Sequence, residues 1–301
     1  MLAQTKQPSA IRHGESQTMS MTQKYLPCLG PQGFHKIAYT EWATAMDLPT
    51  LICVHGMTRN ARDFDHLAAA MEDRYRVASM DVVGRGASDW LADYTGYGYP
   101  QYLADAAALI ARLDVEAVDW VGTSMGGLMG MMLAARPNSP IRKLVVNDIG
   151  PFIPKAFLGR IRNYVGTDPH FAHIDGLEAY MRKIHGSFGP MSDEQWRHLA
   201  EHSARPLEGG GFGLAYDPGI AKAAFGPDGP SDVEMWDIWE QVTCPVLVLR
   251  GANSDLLLPE TVERMQATGP GCEAVDIPDC GHAPSLIPAD QIAIVRNWLA
   301  L

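Results

Sequence analysis

The chain has 301 residues, of which 47% are hydrophobic, and this length is sufficient for one large α/β domain with an insertion. Its formal net charge of -11 opposes a general affinity for nucleic acid or for anionic membranes, so neither is expected as a partner. Five cysteines without a C-x-x-C pair are typical of a reducing compartment. Residues 1–23 lack the apolar core of a signal peptide. We expect them to form a flexible leader and the protein to be cytoplasmic.

Apolar runs and helical periodicities alternate along most of the chain. Two antiparallel strands are predicted first, at Tyr25–Leu29 and His35–Trp42. Further strands are predicted near residues 50–55, 75–81, 117–122, 142–148, 244–250 and 272–277. Helices are predicted between them, near residues 61–72, 100–113, 125–136, 259–267 and 288–300. This alternation indicates an α/β fold with a mostly parallel, eight-stranded sheet and helices on both faces, which binds ligands at the carboxyl ends of its strands.

The segment Gly122-Thr123-Ser124-Met125-Gly126 lies where a predicted strand meets a predicted helix. A serine at such a sharp turn needs a strained backbone to expose its hydroxyl, and the residues beside it must be small. The G-x-S-x-G spacing alone is moderately specific, and a plain strand-to-helix turn with a capping serine is the alternative. In this position the segment favours a nucleophile elbow with Ser124 as the nucleophile.

Four further segments occur in the order that α/β-hydrolases have, and together with the elbow they cover the chain from about residue 25 onward. They are Leu51–Met57, similar to the strand and oxyanion loop, Asp81–Asp89, similar to the turn before the elbow, Val246–Asp255, similar to the strand and loop of the acid, and Pro278–Pro284, similar to the loop of the histidine. The chain therefore resembles the α/β-hydrolase fold superfamily, in a serine-esterase branch with a cap insertion.

A serine hydroxyl needs a base and an acid that orients that base. His282, in a loop flanked by glycine and proline after the last predicted strand, is the expected base. Asp255 follows a strongly apolar strand and is the preferred acid, with Asp148 as the alternative, because some members of the family have the acid there. Asp279 lies too close in sequence to His282 to be its partner.

The resemblance also implies an oxyanion hole formed by two backbone N–H groups, those of Met57 and Met125. His55 precedes that loop and is expected to hold it by hydrogen bonds rather than to transfer protons. Arg59 and Arg62 follow the loop closely, so either could bind an acidic end of a substrate, although both could also be solvated residues at the start of a helix.

After the sixth predicted strand the alternation stops, and the chain has helical pieces, many aromatic residues and glycine-rich breaks. In the family that the chain resembles, this position holds a cap over the active site. We therefore expect residues 24–150 and 241–301 to form the hydrolase core and residues 151–240 to form a mostly helical cap that sets substrate choice.

The expected activity is hydrolysis of small to medium carboxylic esters through an acyl-enzyme on Ser124. The sequence leaves open a lactonase or a C–C bond hydrolase of the same fold, and also a ligand-binding protein that has kept the fold without turnover. No histidine, cysteine and acid spacing typical of zinc is present, so no metal and no cofactor are expected. A small-molecule ester is the expected partner, and the sequence does not indicate the oligomeric state.

Overall fold

The computed structural model describes residues 21–225 and 229–300. Its central sheet has eight strands, here numbered β1 (Met21–Gly30), β2 (Gly33–Trp42), β3 (Thr50–Val54), β4 (Arg76–Met80), β5 (Val118–Thr123), β6 (Ile141–Asn147), β7 (Val246–Gly251) and β8 (Glu273–Ile277). The strand order is β1-β2-β4-β3-β5-β6-β7-β8. β2 is antiparallel to both of its neighbours, and the strands from β4 to β8 pair in parallel.

This sheet confirms the predicted fold class, and β3 illustrates why it forms. All five residues of β3 are buried, as expected for a strand covered on both faces. Successive side chains point to opposite faces of a strand, so Ile52 and Val54 join one apolar cluster while Leu51 and Cys53 join the other. The two clusters are the cores between the sheet and the helices on each side.

The helices on the two faces of the sheet have nearly the predicted bounds. They are α1 (Asp65–Met71), α2 (Tyr99–Leu113), α3 (Met125–Ala134), α9 (Pro259–Ala267) and α10 (Ala289–Leu299), and the insertion contains α4 to α8. A 3₁₀ turn at Ala61–Phe64 precedes α1. Of the helices in the described ranges, not one has both the length and the hydropathy that a membrane span requires. β1 begins at Met21, inside the stretch predicted to be a leader, and residues 1–20 lie outside the described residues.

The insertion after β6 is predominantly helical in its described part. Its helices are α4 (Lys155–Ile161), α5 (Ile174–Ile184), α6 (Asp193–Ser203), α7 (Gly219–Phe225) and α8 (Trp236–Trp239). Two short antiparallel pairs, which the sequence did not predict, join Phe152–Ile153 to Val233–Glu234 and Ala204–Pro206 to Phe212–Leu214. The first pair holds the beginning and the end of the insertion together, so the segment leaves and re-enters the core at one place.

Backbone hydrogen bonds attach the insertion to the turn that follows β4. The N–H of Gly86 donates to the carbonyl of Ala215 at 2.8 Å, and the N–H of Asp217 donates to the carbonyl of Gly84 at 2.8 Å. Since this turn lies at the carboxyl end of a parallel strand, these bonds hold the insertion over the edge of the sheet where ligands of such folds bind.

Candidate active site

Ser124 occupies the sharp turn between β5 and α3. Its backbone has φ of 53° and ψ of -115°, a conformation that costs a non-glycine residue about 1–3 kcal/mol and persists only where the surroundings impose it. A Cβ atom on Gly122 would collide with the carbonyl of Gly126, and one on Gly126 would collide with the carbonyl of Val54. The two glycines therefore allow β5, α3 and β3 to approach closely enough to form the turn that exposes the serine.

His282 connects Ser124 to a buried acid, and that acid is Asp148. Nε2 of His282 lies 3.0 Å from Oγ of Ser124, and Nδ1 lies 2.8 Å from Oδ2 of Asp148. Because a carboxylate only accepts hydrogen bonds, Nδ1 carries the proton and Nε2 is free to accept one from the serine hydroxyl. The ring of Phe157 packs against the imidazole at 84°, with a centroid distance of 4.8 Å.

Two donors from the loop after β7 hold the carboxylate of Asp148 in place. Its side chain is fully buried, Oδ1 accepts the Gly251 N–H at 2.7 Å, and Oδ2 accepts the Ser254 hydroxyl at 2.6 Å. Its own N–H donates to the carbonyl of Leu249 at 2.7 Å, which aligns the residue with β7. A buried charge is tolerated only when hydrogen bonds satisfy it, and these donors together with His282 supply them.

The expectation that Asp255 orients the imidazole is therefore corrected. Asp255 is 53% exposed and accepts two hydrogen bonds from Arg160 of α4, at 2.7 and 2.8 Å, whereas Nδ1 of His282 is bonded to Asp148. The loop after β7 does help to position Asp148, but through the hydroxyl of Ser254 and not through Asp255. Asp148, the alternative acid, had a similar sequence signal to Asp255, since each aspartate follows an apolar strand, Asp148 directly and Asp255 at the end of a short loop.

The two expected oxyanion donors lie beside the nucleophile. Met57 lines the same cavity as Ser124, and Met125 is the first residue of α3, where helix N–H groups have no intrahelical acceptor. Nδ1 of His55 donates to the carbonyl of Gly56 at 2.7 Å. In a trans peptide the next N–H points opposite to that carbonyl, so this bond turns the N–H of Met57 away from His55.

Two buried side chains, the neutral His55 and the cationic Arg85, hold the oxyanion loop by hydrogen bonds to its backbone. Burial lowers the pKa of His55 to about 3, with the charges of Arg85 and Arg59 acting in the same direction, so its ring stays neutral. Arg85 is also buried, donates from Nε to the carbonyl of Met57 at 2.8 Å, and stacks 4.8 Å from the ring of Tyr102. The expected loop-holding role of His55 agrees with these contacts, whereas the contribution of Arg85 had no sequence signal beyond its place in the turn after β4.

A cavity opens beside Ser124, with about 550 Å³ of empty space when the open solvent at its mouth is included. Its core side is formed by the oxyanion loop, the elbow and the loop of His282. The insertion supplies the opposite wall, with Phe157, Arg160, Ile161, Tyr164, Val165, Ile184, His185, Ser187 and Phe188. The wall is mostly apolar and aromatic, which is the usual composition of a pocket for a small organic ligand.

Of the two arginines proposed to bind substrate, only Arg59 lines this cavity. Its guanidinium is already engaged, with Nε 2.9 Å from Asp63 and Nη1 2.9 Å from Oγ of Ser203. Arg62 is not among the residues that line the cavity and instead pairs with Asp65 at 2.6 Å, so the expectation that it binds substrate is corrected. Its position near the oxyanion loop in sequence does not bring it into the cavity, because its side chain lies against α6, with Nη1 3.3 Å from Nδ1 of His202.

Two groups of side chains in the described ranges bring possible metal-ligating atoms within 4.8 Å of one another: Cys28, His35 and Asp105, and Asp65, His198 and His202. Neither group lines the cavity beside Ser124. In the first, Asp105 accepts hydrogen bonds from Nε2 of His35 at 3.0 Å and from Gln101 at 2.7 Å. In the second, Asp65 is paired with Arg62. Both groups are therefore hydrogen-bonded clusters as they stand.

Comparison with known proteins adds to this geometry. Residues 49–288 match the family model of the α/β hydrolase fold. The chain is 46% identical over 281 residues to a 3-hydroxybutyrate-oligomer hydrolase of Cupriavidus necator, an alignment that covers 91% of this chain and 96% of that relative. It is 28% identical over 253 residues to a 2-(acetamidomethylene)succinate hydrolase of Mesorhizobium japonicum, covering 83% of this chain and 88% of the relative.

Among solved structures, an α/β hydrolase from Novosphingobium aromaticivorans has 34% sequence identity and superposes with a TM-score of 0.83, covering 94% of this chain and 99% of that one. The strand order, the turn that carries Ser124 and the family model all lead to the same assignment. The chain belongs to the α/β-hydrolase fold family.

Proposed function

We propose that this protein is a serine hydrolase that cleaves carboxylic esters through an acyl-enzyme. The observation that carries the proposal is the continuous hydrogen-bonded row from Ser124 through His282 to the buried Asp148, at a cavity with mostly apolar walls. In this arrangement a weak nucleophile has a base in hydrogen-bond reach, and the base has an oriented acid behind it.

The reaction that this geometry supports has two halves. Oγ of Ser124 attacks the ester carbonyl carbon while its proton passes to Nε2 of His282, and the N–H groups of Met57 and Met125 stabilise the developing oxyanion. When the tetrahedral intermediate collapses, the C–O bond to the alcohol breaks and Nε2 returns the proton to the leaving oxygen. Water then attacks the acyl-enzyme by the same route and releases the acid. The carboxylate of Asp148 stabilises the imidazolium in both halves.

Short oligomers of 3-hydroxybutyrate are the substrates that we propose. The support is the 46% identity to a 3-hydroxybutyrate-oligomer hydrolase over nearly the whole of both chains. The wall that residues 151–240 add to the cavity is consistent with such a substrate, because it supplies apolar side chains for methyl-bearing, flexible chains. In this proposal the insertion acts as a cap that excludes water and selects the ester.

Lactone hydrolysis, C–C bond hydrolysis and binding without turnover remain alternatives. The 28% identity to a 2-(acetamidomethylene)succinate hydrolase, which is named for a different substrate, supports a test of reactions other than the hydrolysis of hydroxybutyrate esters. A panel that contains 3-hydroxybutyrate dimer and trimer, a butyrolactone and a β-diketone distinguishes the three reactions, because each gives a different product.

The proposal is tested with a serine-directed fluorophosphonate and with p-nitrophenyl butyrate. The reagent should label Ser124, identified by peptide mass spectrometry, and should abolish ester turnover. Ser124→Ala should lose both labelling and turnover while it keeps the wild-type thermal unfolding midpoint. Full inactivation with the label on another residue, or turnover that survives Ser124→Ala, would refute the proposed nucleophile.

A further inference from the structure

The cavity beside Ser124 carries positively charged side chains, each paired with a carboxylate outside the lining, although the protein as a whole carries a net charge of -11. Two arginines, Arg59 and Arg160, line it, and no aspartate or glutamate is among the described residues that do. His185 does not add to this charge, because burial lowers its pKa well below the usual value. The charge at the cavity therefore comes from guanidinium groups, which are the side chains best suited to bind a carboxylate.

The two arginines differ in how easily they can take a new anion. Arg59 is 5% exposed and its partner Asp63 is 16% exposed, so an incoming carboxylate would have to break a largely buried pair. Such a change is strongly unfavourable. Arg160 is 46% exposed and pairs with Asp255, which is 53% exposed. Exposed pairs of this kind contribute little to stability, so Arg160 can exchange its partner at small cost.

Arg160 also has N–H donors that its pair with Asp255 does not use. Its Nε and Nη2 atoms donate to Asp255, and within residues 21–225 and 229–300 its Nη1 atom has no hydrogen-bond partner. A guanidinium has five N–H groups in a planar fork, so a second carboxylate can bind on the Nη1 side even before Asp255 is displaced.

The position of Arg160 indicates which half of the substrate it meets. Its guanidinium carbon lies 4.9 Å from the centroid of the Phe157 ring, and the same ring packs against the imidazole of His282 with a centroid distance of 4.8 Å. The guanidinium and the imidazole therefore contact one aromatic ring. Because His282 delivers its proton to the leaving oxygen, a group that shares this ring with His282 is well placed to meet the alcohol half of the ester.

The geometry points to Arg160 as the residue that binds a free carboxylate on the leaving-alcohol half of the substrate, in exchange with Asp255. This inference rests on the proposed ester hydrolysis and adds the class of substrate: hydroxy-acid esters with an ionised carboxyl end. In an oligomer of 3-hydroxybutyrate, the unit at the carboxyl end carries this carboxylate, and the same unit is the alcohol half of the last ester. The enzyme should then release hydroxy acid from the carboxyl end and keep the rest of the chain as the acyl-enzyme.

The test compares a linear 3-hydroxybutyrate dimer as the free acid with the same dimer as its primary amide, which is neutral and adds no second ester. For the wild type, kcat/KM for the acid should exceed that for the amide by about 10- to 100-fold, the range expected for a hydrogen bond to a charged group. Arg160→Gln should remove most of this preference, mainly by raising KM for the acid, and should lower kcat/KM for the amide far less. Arg160→Lys should restore part of it.

Two further variants separate recognition from general charge effects. Arg162→Gln removes a positive charge at the end of the same helix, from a side chain that does not line the cavity, and should leave the preference for the acid as in the wild type. Asp255→Asn removes the competing carboxylate and should lower KM for the acid.

Equal losses on acid and amide in Arg160→Gln, or a wild type without preference, would overturn the role of Arg160. Turnover of p-nitrophenyl butyrate without turnover of either dimer would overturn it as well, and the proposed ester hydrolysis would stand. Failure of the proposed function has a different signature, which is p-nitrophenyl butyrate turnover that is absent or unaffected by Ser124→Ala. With an oligomer blocked by acetylation at its hydroxyl end, the first product should be free 3-hydroxybutyrate, and release of the acetylated unit first would contradict the stated polarity.

Discussion

Replacement of Asp148 by asparagine should lower kcat by about 10⁴-fold, because the surroundings allow the new side chain only one orientation. Oδ1 of Asp148 accepts the N–H of Gly251, and an amide NH₂ cannot occupy that position opposite another donor. The amide nitrogen must therefore replace Oδ2, where it faces Nδ1 of His282. It would donate to Nδ1 and leave the proton on Nε2, in the tautomer that cannot accept a proton from Ser124.

A loss of that size corresponds to about 5.4 kcal/mol of transition-state stabilisation. The assay is steady-state hydrolysis of p-nitrophenyl butyrate by Asp148→Asn and by Asp255→Asn, with thermal unfolding of both variants to show that each is folded. Asp255→Asn should stay within about fivefold of the wild type, since it removes only an exposed ion pair worth about 0.2–1 kcal/mol. The reverse ranking, with Asp255→Asn the slower enzyme by orders of magnitude, would refute the assignment of the acid.

Three other predictions concern the scaffold. The free energy of unfolding should fall as the pH decreases from about 6.5 towards 3, because His55 binds a proton in the unfolded chain but stays neutral when buried. In urea titrations at several pH values, His55→Gln should reduce this pH dependence by up to about 1.4 kcal/mol per pH unit. The same pH dependence in the variant and the wild type would exclude His55 as its source. Gly122→Ala should be insoluble or destabilised by more than about 3 kcal/mol in chemical denaturation, whereas Gly209→Ala, which has open space for a methyl group, should unfold like the wild type. Phe188→Ala, at the cavity wall, should shift the preference in a p-nitrophenyl ester series towards longer acyl chains and stay folded, while the buried Trp196→Ala should lose about 3–5 kcal/mol of stability; the opposite pattern would contradict the assignment of these two side chains.

The central fold could be predicted from the sequence because its signals are local. Each strand of the parallel region is a short apolar run, and each helix between them has its own periodicity, so the order of elements indicates the layers without knowledge of any contact. The elbow is local for the same reason. Gly122 and Gly126 leave no room for a Cβ atom beside the backbone of the turn and of the adjacent strand, so the requirement is visible in the five-residue motif itself.

The short strand pairs of the insertion could not be predicted in this way. Phe152–Ile153 and Val233–Glu234 are two residues each and are separated by most of the insertion, so neither has a periodicity of its own. Their pairing results from closure of the insertion on the core. The wall of the cavity depends on that closure as well, and a count of aromatic residues does not indicate which of them face it.

The sequence by itself determined the α/β-hydrolase fold, the turn that exposes Ser124 and the loop that carries His282, since contiguous residues encode each of them. Only the tertiary structure decided between Asp148 and Asp255, and it brought Arg160 to the cavity. Both aspartates follow apolar strands, Asp148 directly and Asp255 after a short loop, and this context does not indicate which side chain faces His282. The positions of both carboxylates depend on donors that lie far away in the chain: Gly251 and Ser254 bond to Asp148, and Arg160 of the insertion bonds to Asp255.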